Sequence, residues 1–125
     1  RAVLEATAYR SAEVLAAMQE DSGVEIRTLR VDGGGTANGF LMQFQADLIG
    51  VPVERPKVPD TTSLGAAALA ALGTGVLASR KELAKTWALE KRFKPKIDSE
   101  ERDRLNGEWR AFVAASRGFY RTGDA

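Results

Sequence analysis

Residues 32–38, "DGGGTAN", carry the groups best suited to chemistry in this 125-residue chain. Leu29 and Val31 precede three consecutive glycines, and "GFLMQFQADLIG" follows them with apolar residues at helical spacing. A strand that turns through glycine into a helix suits an anion. Glycine lets the backbone approach closely, and the helix N-terminus offers free N–H groups and a partial positive charge. Asn38 adds a side chain that both donates and accepts. The pattern predicts phosphate or nucleotide binding at the turn. A tight turn with no ligand is the plain alternative.

Known phosphate-binding designs separate on single residues. A P-loop needs Gly-Lys-Ser/Thr before the helix, and this turn has no Lys. A dinucleotide fingerprint matches at Gly33 and Gly35, and Glu54 lies about 20 residues on, where a ribose-binding acid belongs. Asn38, however, occupies the third glycine position, and Arg27 and Arg30 are unusual in a central strand of that fold. The adenosine motif of actin-like ATPases places a Gly-Gly pair under the nucleotide and a polar residue one turn later at the base. Gly33, Gly34 and Asn38 supply that set.

Composition removes other chemistry. Without cysteine or histidine the chain has no disulfide, no thiolate or imidazole metal site and no Ser-His-Asp triad. A net charge of +1 gives no strong pull toward nucleic acid. No apolar run reaches the length of a membrane span. Absence of cysteine fits a cytoplasmic location. Asp32 at a strand end is read as a loop cap and not as a base or metal ligand.

The positioning elements follow from periodicity. Leu4, Ala8, Ser11, Leu15 and Met18 mark a first helix, closed near Gly23. "VEIRTLRVD" alternates as a strand. Phe40, Leu41, Phe44 and Leu48 mark the core face of the helix after the glycines, which ends at Gly50. "VPVERP" is a short strand limited by Pro52 and Pro56. "DTTSLGAAALAALGTG" is a helix whose Gly65–Ala68 surface packs closely on a neighbour. "SRKE" and "DSEE" are capping boxes that start two further helices. "ALEKRFKP" between them is open between a strand and a solvated basic arm, with a phosphate or protein partner as the lesser reading. Leu105, Trp109, Phe112, Val113, Ser116 and Tyr120 form the core stripe of the last helix, with Asp98–Arg102 and Glu100–Arg104 pairs outside. Glu54 is a strand-end charge. The order helix, strand, helix, strand, helix predicts an α/β fold with parallel strands and a sheet lacking part of its cover.

At "RVDGGGTANGFLMQFQADLIGVPVERP" and the following "TTSLGAAALAAL", the chain resembles the carboxy-terminal domain of the FGGY carbohydrate kinase family. "AVLEATAYRSAEVLAAM" is similar to the helix before that motif, and "FKPKIDSEERDRLNGEWRAFVAAS" to the last arm and helix. "NGFLMQFQADLIG" looks like the glycerol kinases of the family, over its xylulose and gluconate kinases.

The resemblance implies an actin-like ATPase, or ribonuclease H-like, domain whose first three antiparallel strands lie outside the chain. Residues 1–125 would be the carboxy-terminal part of the second domain, so the chain, opening at Arg1 in helical sequence, is expected to begin inside a larger protein. The family transfers the γ-phosphate of ATP, with Mg²⁺, and its glycerol branch makes sn-glycerol 3-phosphate. By similarity, Gly33 makes the tight turn, the amide of Gly34 lies against the nucleotide phosphates and Asn38 contacts the adenine. Gly35 and Thr36 depart from the residues frequent there, Ala and a β-branched apolar side chain, and Thr36 is expected to help cap the helix. The catalytic Asp, the glycerol-binding residues and most Mg²⁺ contacts belong upstream, so this chain holds no catalytic or metal residue and alone is expected to be inactive. An exposed sheet edge points to a homo-oligomer. A stand-alone nucleotide-binding or interaction module is the alternative of a different class.

Overall fold

The computed structural model describes residues 1–121, without the side chains of Thr86, Tyr120 and Arg121. Helix α1 (Ala2–Ser22) ends where Gly23, at φ 67°, donates its N–H to the Gln19 carbonyl at 2.9 Å. Strand β1 (Leu29–Arg30) leads through a 3-10 turn (Gly34–Ala37) into α2 (Gly39–Ile49). Then come β2 (Val53–Pro56), α3 (Thr61–Gly73), α4 (Arg80–Thr86), β3 (Leu89–Phe93) and α5 (Ser99–Arg121).

The α/β expectation holds, with one addition. β1 and β2 are parallel, joined by the α2 crossover, while β3 pairs antiparallel with the far side of β2. The segment at 88–95 therefore holds a strand at Leu89–Phe93, and the sheet is mixed. β1 is far shorter than the alternation over 24–32 suggested. Among the described residues its one strand neighbour is β2, and the amides of Leu29 and Val31 donate to the carbonyls of Pro52, just before β2, and Glu54, within it. Among the described residues no strand precedes α1, so the other edge of β1 has no partner.

Leu29, Val53 and Phe93 align across the three strands and turn one face toward α1 and α2. There Val53 and Phe93 join Ala8, Leu41, Met42, Ala46 and Leu48 in the core. Helix α5 docks through aromatic packing. Tyr9 stacks on Trp109 at 4.9 Å and meets the edge of Phe44 at 5.5 Å. Trp109 Nε1 donates to Glu13 at 3.1 Å, and Asn106 donates to the Leu48 carbonyl at 3.1 Å.

Periodicity overestimated several faces. Phe40 is 41% exposed and Phe112 63% exposed. Beyond Trp109, every described residue of α5 except Val113 and Ser116 is exposed, because only the first half of the helix lies on α1 and α2. Tyr120, placed on the same stripe, lies outside the described side chains. Of Gly65–Ala68 only Ala68 is buried. The outer pairs of α5 also differ: Arg104 bonds Glu101 and Glu108, at 2.7 and 2.6 Å, and Arg102 pairs with Asp103. Asp98 is unavailable because its carboxylate caps the helix, accepting from the Glu101 amide at 2.9 Å.

Candidate functional site

The glycine turn is built by one backbone feature and two short polar side chains. Gly33 has φ 82° and ψ 172°, a conformation that L side chains rarely adopt. Its amide donates to the Pro59 carbonyl at 2.8 Å. Its carbonyl accepts from the Thr36 amide at 3.1 Å and the Thr36 hydroxyl at 2.7 Å. Thr36, buried, thus closes the 3-10 turn and does not cap α2, contrary to the sequence-based expectation. Asn38 is the cap: its Oδ1 accepts from the Leu41 amide at 3.0 Å. That leaves the Asn38 amide NH₂ to donate elsewhere.

The turn is open on its outer side. A Cβ placed on Gly33, Gly34 or Gly35 would meet no heavy atom within 4 Å. Internal packing therefore does not require glycine at 34 or 35, and only Gly33 has a positive φ among the three. Concavities of about 310 and 420 Å³ adjoin Gly34, one reaching Arg55 and Glu90, the other Asp60 and Thr61. A larger groove of about 930 Å³ runs between α1 and β1, past Val14, Leu29 and Leu41. It follows the edge of β1 that has no partner among the described residues, carries mainly apolar groups, and reaches Gly35 and Thr36 of the turn.

Electrostatics distinguish the two helix starts beside the turn. Asp60 caps α3, and the backbone hydrogen bond from Ser63 holds its carboxyl below the ordinary carboxylate value. The N-terminus of α3 therefore already carries a negative charge. The N-terminus of α2 is capped by a neutral amide, which leaves its partial positive charge for an incoming anion. Asp32 accepts a hydrogen bond from the Thr61 hydroxyl and ties the turn to α3, in keeping with a loop role.

Glu54 is not a strand-end charge. It is 4% exposed, in the middle strand, and pairs with Arg92 and with Arg30, the latter at 3.4 Å. The Arg30 guanidinium lies 4.1 Å from the Trp87 ring centroid. The acid that a dinucleotide site would need is thus held among arginines of the neighbouring strands. The basic arm is also not simply solvated: α2 holds its backbone, with Gln43 donating to the Lys94 carbonyl at 2.7 Å and Asp47 accepting from the Lys96 amide at 2.7 Å. Sequence reasoning missed Arg55, whose side chain reaches the Thr36 carbonyl at 2.8 Å. Its signal was faint, one arginine in a short strand whose partners are backbone carbonyls and a distant carboxylate.

The sequence pattern of the FGGY family of carbohydrate kinases, C-terminal domain, matches residues 1–74, from α1 through the turn to the end of α3. The chain belongs to this family. A glycerol kinase of Symbiobacterium thermophilum is 55% identical over 119 residues, which is 95% of this chain and 24% of that protein. A crystal structure of Plasmodium falciparum glycerol kinase with ADP has a TM-score of 0.80 at 34% identity, covering 92% of this chain and 23% of that one. Xylulose kinase from Rhodospirillum rubrum has a TM-score of 0.77 at 27% identity, covering 97% and 25%. The chain therefore spans about a quarter of the length of the relatives it matches. As a member of the FGGY family it has the actin-like fold of its kinase neighbours, and the turn between β1 and α2 is open on its outer side.

Proposed function

We propose that residues 1–125 form the carboxy-terminal part of the second domain of an ATP-dependent glycerol kinase, and that they supply the adenosine wall of its ATP site. The observation that carries this is the turn at Gly33–Asn38, whose outer side is open and whose peptides lead into the neutral N-terminus of α2. The Gly34 amide would meet the nucleotide phosphates, and the Asn38 NH₂ the adenine edge. Identity of 55% to a glycerol kinase favours glycerol over xylulose or gluconate as the acceptor of the γ-phosphate.

The chain's own part is binding and orientation. Phosphoryl transfer needs a positioned nucleophile and charge stabilisation from several elements together. Asp32 and Asp60, the carboxylates beside the turn, are engaged by Thr61 and Ser63 and do not form a ready Mg²⁺ site. The proposal therefore assigns Mg²⁺ mainly to parts outside these residues, along with the catalytic base and the glycerol site. It includes a cytoplasmic location and a homo-oligomeric parent protein. No helix of the described residues is long and apolar enough to cross a membrane.

A coupled assay tests the assignment. The parent protein should convert ATP and glycerol to ADP and sn-glycerol 3-phosphate, and the isolated 125-residue chain should show no turnover. Preference of the parent for xylulose or gluconate, or activity that purifies with the isolated chain, would sink the assignment.

Asn38 permits a cleaner test than alanine, because alanine would also remove the α2 cap. Asn38→Ser keeps a neutral capping oxygen for the Leu41 amide and removes the NH₂ donors. ATP affinity of the parent kinase should fall by about 1–2 kcal/mol, with glycerol affinity unchanged. Equal ATP affinity in calorimetric titrations would leave Asn38 as a helix cap alone.

A further inference from the structure

We infer that Arg55 is the positioning residue of the nucleotide turn, acting as a clamp between the 3-10 helix and the β2–β3 pair. The inference rests on the reading of Gly33–Asn38 as the nucleotide wall. The Arg55 side chain is 15% exposed. Its Nη1 donates to the Thr36 carbonyl at 2.8 Å and approaches the Ala37 carbonyl at 3.5 Å. Its Nε and Nη2 donate to the two oxygens of Glu90 at 2.7 and 3.1 Å. The guanidinium carbon lies 5.6 Å from the Phe93 ring centroid.

This arrangement answers a need of the turn. A 3-10 helix of four residues leaves its last carbonyls without intrahelical partners. Those carbonyls belong to the two residues immediately before Asn38. Fixing them fixes the direction in which the Asn38 side chain leaves the backbone, and with it the turn that presents the Gly34 amide. A planar fork is required, because one side of the guanidinium serves the carbonyls while another serves a carboxylate. A lysine ammonium has the charge but not two fixed faces. Glu90 in turn aims the fork from β3, so the placement of the turn depends on the antiparallel pairing.

Steady-state kinetics of the parent kinase test the clamp. Arg55→Met keeps the apolar stem and removes the donors, and KM for ATP should rise about tenfold while KM for glycerol stays within about twofold. Glu90→Gln should raise the ATP value by about two- to threefold, and adding it to Arg55→Met should change little further. Arg55→Lys should fall between Arg55→Met and the parent. A purely structural role would lower the melting temperature and leave the ratio of the two KM values unchanged, which would overturn the inference. Should Arg55→Met fail to fold, Arg55→Lys and Glu90→Gln measured well below their melting temperatures decide in the same way. Gly34→Val separates the two levels: ATP binding lost there but intact in the Arg55 and Glu90 variants overturns the clamp alone. ATP binding intact in Gly34→Val overturns the nucleotide wall, and the clamp with it.

Discussion

Gly34→Val in the parent kinase is expected to weaken ATP binding by about a hundredfold or more, about 2.7 kcal/mol, with little change in thermal stability. The two halves of that expectation come from the same geometry. A Cβ at Gly34 meets nothing within 4 Å, and Gly34 does not have a positive φ, so the folded chain accommodates a branched side chain. The open space is where a phosphate must come to reach the Gly34 amide, and valine methyl groups would stand in it. Gly33→Val differs, since φ 82° would strain the backbone whether or not a nucleotide binds. Isothermal titration with ATP and with glycerol, beside a melting curve, gives the comparison. Undiminished ATP affinity in a stably folded Gly34→Val protein would remove the glycine turn from the nucleotide site.

Phe93→Ala should cost about 3–5 kcal/mol of folding stability, a large share of the roughly 5–15 kcal/mol typical of a domain. Phe93 is 4% exposed, shares the core with Val53 and Met42, and lies under Arg55 and Lys91. Truncation opens a cavity and removes the aromatic face beneath the clamp. Phe112→Ala is the control: the side chain is 63% exposed, and its loss should cost no more than about 0.5 kcal/mol. Urea denaturation of both variants measures the contrast. Comparable losses in the two would mean that α5 has a partner along its outer half.

Local chemistry was legible in the sequence. Gly23 and Gly50 end α1 and α2 at φ 67° and 77°, and Ser79 and Asp98 cap α4 and α5, because each of these signals acts within a few residues. The Gly33–Asn38 turn was legible for the same reason, although the capping role expected of Thr36 falls to Asn38. Both are short polar residues near a helix start, and only the backbone direction at Gly33 decides which oxygen meets which amide.

What depends on partners far along the chain was not legible. Glu54 resembled an exposed charge because its ion partners come from β1 and β3, with Arg92 38 positions away. The direction of β3 is likewise a property of the pair. The apolar stripe of α5 follows from helical spacing, but spacing does not say how far α1 and α2 extend beside it.

The two faces of the sheet have a consequence for how the chain finds its alignment. Leu29, Val53 and Phe93 form a row toward the core, and Arg30, Glu54 and Arg92 form the adjacent row on the opposite face. A slip of β3 by one residue would exchange the rows. It would press the Arg92 guanidinium into the hydrocarbon and set Phe93 beside the Glu54 carboxylate. Such a misaligned state loses twice, by burying an unpaired cation and by orphaning a buried anion. The Arg-Glu-Arg row thus works as an error check on strand alignment, whatever small net stability its ion pairs contribute. Three strands this short hold few backbone hydrogen bonds to define their own register, so fidelity is written in side-chain charge.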